Sequence, residues 1–185
     1  MVDLDFSCGF HWENEDLKSG PFVPWLNGFA KEEGVEIMKL VIGCDHAAFG
    51  LKETIKRHLV EQGHEVEDMG AFSEASVDYP DIGRQVASAV SQGRFGRGIL
   101  LCGTGLGMSM VANRFPHVRA ALCNDLFSAG MSRRHNDANI LVMGGRVIGD
   151  VLAKEIVKTW METAFEGGRH QRRLDQFDGA PDDKR

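Results

Sequence analysis

Apolar residues in this chain follow two alternating rhythms. Unbroken apolar runs occupy residues 39–44 (Lys39-Leu40-Val41-Ile42-Gly43-Cys44), 98–102 (Gly98-Ile99-Leu100-Leu101-Cys102) and 140–143. Runs of this length bounded by polar or Gly-rich segments suit strands buried on both faces. Residues 64–69 and 118–123 predict two more strands. The segments between them carry helical spacing. Residues 51–62 place Leu51, Ile55 and Leu59 on one stripe and close at Gly63, and Asp78-Tyr79-Pro80-Asp81 opens a helix with Ile82, Val86, Ala89 and Val90 on one face. Residues 108–114 predict a short helix stopped by Pro116, residues 125–135 another, and residues 146–165 a long one, followed by a polar tail that includes Arg169, Arg172 and Arg173. The alternation predicts an α/β fold, a three-layer sandwich around a five-stranded, mostly parallel, doubly wound (Rossmann-like) sheet.

In that class, ligands sit beyond the carboxyl ends of the strands. The central run ends there in Cys102-Gly103-Thr104-Gly105-Leu106-Gly107, followed by Met108 and Ser109. A strand feeding a Gly-rich loop that opens a helix presents unpaired N–H groups in a positive field, which suits an anion or a developing oxyanion. The same field favours a thiolate at the loop's mouth. Spacing excludes three familiar loops. A triphosphate-binding loop needs a lysine, and none lies between Glu61 and Asp150; a dinucleotide fingerprint needs glycine, and a Cys-x5-Arg phosphatase loop needs arginine, where Met108 stands. A glycine-lined oxyanion site beside a thiol remains, against the plainer reading of Cys102 as a small buried hydrophobe.

Composition narrows the class further. The chain has 185 residues and a formal net charge of −6, and residues 1–37 hold eight acids against two lysines, so the remainder is formally neutral. This gives no support to a nucleic-acid-binding face. Nothing resembles a membrane span or a signal peptide. The four cysteines, Cys8, Cys44, Cys102 and Cys123, form no CxxC pair, so neither a zinc knuckle nor a disulfide framework is indicated and a reducing cytoplasm is expected. Residues 1–37, with Trp12 and Trp25 and no persistent periodicity, read as an appended acidic segment, weakly ordered or docked; a start at Met38 is the alternative. Residues 38–177 form the expected domain and 178–185 a polar tail.

Several polar groups carry both a chemical and a plain structural reading. His46 and His135 can move protons near neutral pH, but His46 also fits a helix entry and His135 a helix C-terminus. Arg169, Arg172 and Arg173 suit phosphate or a solvated tail, and Arg133-Arg134 reads as a solvated helix end. Asp45 is a candidate ligand or a helix cap. Tyr79, the lone tyrosine, suits a ligand or the core.

These motifs together resemble the ribose-5-phosphate isomerase type B family, which includes the galactose-6-phosphate isomerase subunits. The matching pieces are Gly43-Cys44-Asp45-His46, Asp78-Tyr79-Pro80, Cys102-Gly103-Thr104-Gly105-Leu106-Gly107, Arg133-Arg134-His135-Asn136-Asp137 and Gly167-Gly168-Arg169-His170-Gln171, in the family's order. The resemblance implies an aldose–ketose isomerase with Cys102 as the base, moving a proton from C2 to C1 through a cis-enediolate. It implies that Thr104 assists between the sugar oxygens and that the amides of Gly103, Gly105, Leu106 and Gly107 hold the oxyanion. It further implies that His135 opens the furanose ring and that His46, Arg169 and Arg173 hold the phosphate. Asp45, Tyr79 and Asn136 would bind hydroxyls, with Arg146 a weaker candidate. Some members use a glutamate a few residues on in place of the cysteine; here that neighbourhood holds Met108 and Ser109. No metal or organic cofactor is implied. The family forms dimers, often paired into tetramers, with sites at the interface.

Ribose-5-phosphate, in the non-oxidative pentose phosphate pathway, is the expected substrate. Galactose-6-phosphate, allose-6-phosphate and a tetrulose phosphate are the neighbouring alternatives. A phosphocysteine carrier also follows a strand-end cysteine, but leaves Asp45-His46, His135-Asn136 and the arginines without a task. A non-catalytic sugar-phosphate binder is the third possibility.

Overall fold

The computed structural model describes residues 37–178. The expected appended segment, apart from Ile37, and residues 179–185 lie outside the described residues. Five strands and six α-helices alternate. They are β1 (Lys39–Cys44), α1 (Phe49–Glu61), β2 (Glu65–Asp68), α2 (Tyr79–Ser91), β3 (Arg97–Cys102) and α3 (Leu106–Ala112), then β4 (Ala120–Leu122), α4 (Leu126–Arg134), β5 (Ile140–Gly144), α5 (Asp150–Glu162) and α6 (Arg169–Asp178). The strand order is β2-β1-β3-β5-β4 and every ladder is parallel. The sheet is therefore wholly parallel where the sequence predicted a mostly parallel one.

The apolar runs behave as their composition requires. β1, β3 and β5 are buried along nearly their whole length, whereas the edge strands β2 and β4 are only half-buried. Alternate residues feed two cores. Leu40, Ile42, Ile99, Leu101, Leu141 and Met143 face α1 and α5, with Trp160 among them; Val41, Leu100, Ile140 and Val142 face α2 and α3. At roughly 1.5–3 kcal/mol for each fully buried aliphatic side chain, these two layers supply the main force that flattens the helices onto the sheet.

Several boundaries shift from the sequence reading, α3 among them, which begins at Leu106 rather than Met108; three of the differences have a clear physical reason. The fourth strand is only Ala120–Leu122, because its flanks turn away to make other bonds: Arg119 N–H donates to Asn139 Oδ1 at 2.8 Å. The long helix starts at Asp150, not at 146, since Gly145 and Arg146 donate their N–H groups to the carbonyls of Cys102 and Gly103 at 2.8 and 3.0 Å. The polar tail is a helix, α6, docked through buried His170 and Leu174.

One polar contact inside the fold positions the site. Lys52 on α1 is fully buried, and its ammonium donates to both oxygens of Asp68 (2.9 and 2.8 Å) and to the Ala71 carbonyl (2.8 Å). Lys56 joins Asp68 at 2.6 Å. This clamp fixes the end of β2, and with it the start of the segment that leads to Tyr79. Burial would raise the Asp68 carboxyl, but the hydrogen bonds from Lys52 and Lys56 overcome it and hold the group below its ordinary value. A lowered carboxylate stabilises the fold above its unfolded value, and that contribution is lost as pH falls through the folded one. Asp68→Asn is expected to cost about 1–3 kcal/mol at pH 7, because it leaves buried Lys52 with the more exposed Glu53, 2.9 Å away, as its remaining counter-charge. The deficit relative to the parent should shrink below about pH 4, as read by urea unfolding at both pH values.

Candidate active site

The carboxyl ends of β1, β3 and β5 form one contiguous edge. Asp45 N–H donates to the Leu101 carbonyl at 3.1 Å, and Gly145 N–H to that of Cys102, so the three post-strand segments are stitched side by side. Cys102 is buried at the end of β3, and its Sγ accepts the Gly105 N–H at 3.1 Å. An N–H donor aimed at sulfur stabilises negative charge there. The loop can make this hook only because residue 105 is glycine. Its φ is +81°, and a Cβ would collide with Leu122 and sit 3.1 Å from the Met143 backbone. The hook also uses one of the amides expected to cradle an oxyanion. The Leu106 N–H turns to Thr104 Oγ1 at 3.4 Å. Among the described residues, nothing accepts from the amides of Thr104 and Gly107.

The remaining carboxyl-edge candidates ring this loop. The Tyr79 ring lies over Gly107, where a Cβ would be 2.6 Å from it. The Arg146 side chain runs over Gly103, its Cδ 3.7 Å from where a Cβ would stand, which makes it a stronger member of the site than its sequence context implied. Buried Asp45 caps the following 3-10 turn by accepting the Ala47 N–H at 2.9 Å. His46 accepts the Val77 N–H on Nδ1 at 3.3 Å, which leaves Nε2 to carry the proton and donate. Met108 is fully buried and packs against Gly83, so the position where a glutamate base would be sought serves the core. Ser109 donates to the Leu106 carbonyl.

Two further cysteines, Cys44 and Cys123, are buried away from the loop. Burial pushes the thiols of Cys44 and Cys123 up to about 11, so both stay protonated at neutral pH.

His135, Asn136, Arg169 and Arg173 are elsewhere. α4 runs antiparallel to the strands and ends at the amino edge of the sheet, where the Asn139 carbonyl accepts the Gly98 N–H at the start of β3. A six-residue strand at ~3.3 Å per residue separates this edge from Cys102 by about 16 Å. Arg133 secures the turn after α4. It is buried rather than solvated, lies over Trp160, and donates to Asp137 Oδ1 and to the Ala138 carbonyl at 2.8 and 2.7 Å. α6 then brings His170 onto His135 in a parallel stack with centroids 4.2 Å apart, and Arg169 Nε donates to His170 Nε2 at 3.2 Å. The expected site is thus split within one chain. Cys102, Thr104, the loop glycines, Asp45, His46, Tyr79 and Arg146 share the carboxyl edge; His135, Asn136, Arg169 and Arg173 share the amino edge.

Sequence reasoning missed Glu166 in the second group and gave His170 no role beyond its place in a matching motif. Glu166 pairs with Arg134 at 3.2 Å and comes within 3.6 Å of His170 Nε2 and 4.0 Å of His135 Nε2. Its i, i+4 spacing to His170 across Gly167-Gly168 was the available signal. Glu166, His135 and His170 are the cluster, among the described residues, close enough to consider for a metal ion. Their geometry does not suit one. Imidazoles parallel within 4° cannot both aim an in-plane lone pair at a single ion, and the Arg169 guanidinium occupies His170 Nε2.

Comparison with known proteins settles the family. The ribose/galactose isomerase family model matches residues 40–177. The chain belongs to that family. It is 50% identical over 137 residues to ribose-5-phosphate isomerase B of Escherichia coli (strain K12), covering 74% of this chain and 92% of that protein. The D-erythrulose-4-phosphate isomerase of Pectobacterium atrosepticum is 44% identical, over 71% of this chain and 88% of its own. Among solved structures, ribose-5-phosphate isomerase B of Clostridium thermocellum superposes with a TM-score of 0.76 at 50% identity, covering 77% of this chain and 96% of that one. The family's parallel five-stranded α/β fold is the one described above.

The Gly105 hook has a direct test. Gly105→Ala is expected to lose at least ~1–2 kcal/mol from the left-handed backbone alone, with more from the contact with Leu122. Thermal unfolding should show the loss. In whatever fraction folds, alkylation of Cys102 at pH 7.5 should slow relative to the parent.

Proposed function

We propose that the chain is an aldose–ketose isomerase that interconverts ribose-5-phosphate and ribulose-5-phosphate, with Cys102 as the base. The observation that carries the reading is the Cys102 thiol, hooked by the Gly105 N–H inside a glycine loop at the carboxyl edge of the sheet. In the forward direction His135 passes a proton to the furanose ring oxygen and receives one from the anomeric hydroxyl, giving the open aldose. The Cys102 thiolate takes the proton from C2 and returns it to C1. Between these steps negative charge resides on the enediolate oxygen, where the free loop amides meet it; a donor matched to charge that exists only along the reaction path lowers the barrier rather than merely tightening binding. Thr104, exposed at the loop crest, moves the proton between O1 and O2. Asp45, Tyr79 and Asn136 hold hydroxyls. His46, donating through Nε2, joins Arg146, Arg169 and Arg173 on the phosphate. Deprotonation and reprotonation balance within the substrate, so the scheme calls for no redox partner.

The split site supports a homodimer, alone or paired into a tetramer, with each site built from the Cys102 edge of one copy and the His135 edge of the next. Exposed apolar side chains recur where α3, α4 and α5 begin at the carboxyl edge: Leu106, Met110, Leu126, Phe127, Val147 and Val151, with Phe127 75% exposed. Apolar side chains left open in this number on one edge favour a covering partner. We place the catalytic domain in residues 38–177, with 178–185 as a polar tail and the acidic segment 1–37 appended. The work belongs in the reducing cytoplasm, where a thiol base stays free. Among the described residues no helix is long and apolar enough to cross a membrane. A four-carbon sugar phosphate is the second reading, favoured by the 44% identity to the erythrulose-4-phosphate enzyme. A phosphocysteine carrier is disfavoured, because it gives the His135 edge nothing to do.

A subunit-mixing experiment tests both parts. Cys102→Ala and His135→Ala homodimers should each be inactive toward ribose-5-phosphate. After mixed refolding, about a quarter of parental activity should return, since half of the dimers are hybrids and each hybrid has one intact site. No recovery from well-folded mixtures would mean that the site does not span two copies. Faster parental turnover of D-erythrulose-4-phosphate than of ribose-5-phosphate would select the second reading.

A further inference from the structure

His170 is a buried, ordered group to which the proposed reaction assigns no step. The chain reaches it through an unusual path. Glu166 N–H donates to the Arg134 carbonyl at 3.0 Å, tying the segment to the end of α4. Gly167 and Gly168 then both adopt positive φ, +64° and +56°, a reversal that favours glycine at each step. The reversal starts α6 so that His170 folds back against His135. The two rings lie within 4° of parallel, with His170 only 5% exposed and His135 open on its outer side.

The charges around the pair set the character of the stack. Arg134 from α4, Glu166 from the connecting segment, and Arg169 and Arg173 from α6 surround it. Arg169 Nε–H points at His170 Nε2, which must therefore be an acceptor. Burial first, then the neighbouring His135 and Arg169, hold the His170 imidazole below its ordinary value, with Glu166 opposing. A neutral His170 can stack on His135 in either of its protonation states, whereas two stacked imidazoliums would repel.

We propose that His170 is a positioning residue for His135: its buried ring is a flat platform, oriented by Arg169, that fixes the plane in which His135 meets the sugar ring. The proposal rests on the reading of His135 as the ring-opening group. It assigns His170 no contact with the phosphate, despite its place between two arginines. A misplacement of about 1 Å at a proton-transfer group can cost two orders of magnitude in rate, so the platform matters even though it touches no reacting atom.

The full-length chain carrying His170→Phe or His170→Ala tests this. The phenyl ring keeps a platform without polar atoms; alanine removes it. His170→Asn serves in place of alanine if that variant does not fold. The readouts are the 1H–13C ring resonances of His135 by NMR, and kcat and KM for ribose-5-phosphate. The parent and His170→Phe should both show the upfield shift of a stacked ring and kcat values within about threefold of each other. His170→Ala should lose that shift, and its kcat should fall on the order of 10- to 100-fold with KM altered far less. Unchanged His135 resonances in His170→Ala would overturn the proposal, as would a large rise in KM shared by the Ala and Phe variants, the signature of direct phosphate binding. Shifted resonances with an undiminished kcat would overturn the catalytic reading of His135 on which the proposal rests.

Discussion

The close approach of the 103–107 loop to β5 is the constraint on which the rest of the site depends. Cys102 ends the central strand, and the chain must leave it without drifting from the sheet. It does so through a left-handed residue wedged between Leu122 and the Met143 backbone, where no Cβ fits. The Thr104 carbonyl reciprocates by lying against Gly144, 2.8 Å from where a Cβ would be. With the loop held this tightly, the Gly105 N–H faces the Cys102 sulfur, the Leu106 N–H turns to Thr104 Oγ1, and the amides of Thr104 and Gly107 stay free. Arg146 and Tyr79 close over the two ends. A looser loop would take the Gly105 N–H away from the Cys102 sulfur.

The division of chemistry between the two edges of the sheet follows from topology. In a parallel sheet with helical returns, a strand end and the end of the following helix are necessarily on opposite edges. Cys102 is a strand end, and His135 is a helix end. No local rearrangement brings them together in one chain, so the reaction proposed for them requires association of copies, and the apolar side chains left open around the Cys102 edge are consistent with that demand.

Much of this was legible in the sequence, and the parts that were not share a cause. The buried strands announced themselves as unbroken apolar runs, and Asp45, Cys102 and Arg146 fell at strand ends by simple counting. α6 was misread because its residues are polar. Among its described side chains His170 and Leu174 are the buried ones, and two residues make no periodic signal. Arg133 was read as solvated because its neighbour Arg134 is, yet helix rotation turns one inward over Trp160 and leaves the other outside. Lys52 entered the core because Asp68, sixteen residues away, was there to meet it. Each of these depends on a partner distant in sequence, which periodicity cannot report. The site residues were read from the sequence as positions to inspect; how far apart the two groups lie across the sheet is a property of the fold.

The central claim is that Cys102 moves the C2 proton. Its most direct test is solvent-deuterium incorporation at C2 of ribose-5-phosphate, followed by NMR alongside ribulose-5-phosphate formation. Exchange together with product is expected in the parent protein, and neither in a folded Cys102→Ala variant. Exchange that persists in Cys102→Ala would contradict it, because some other group would then be the base.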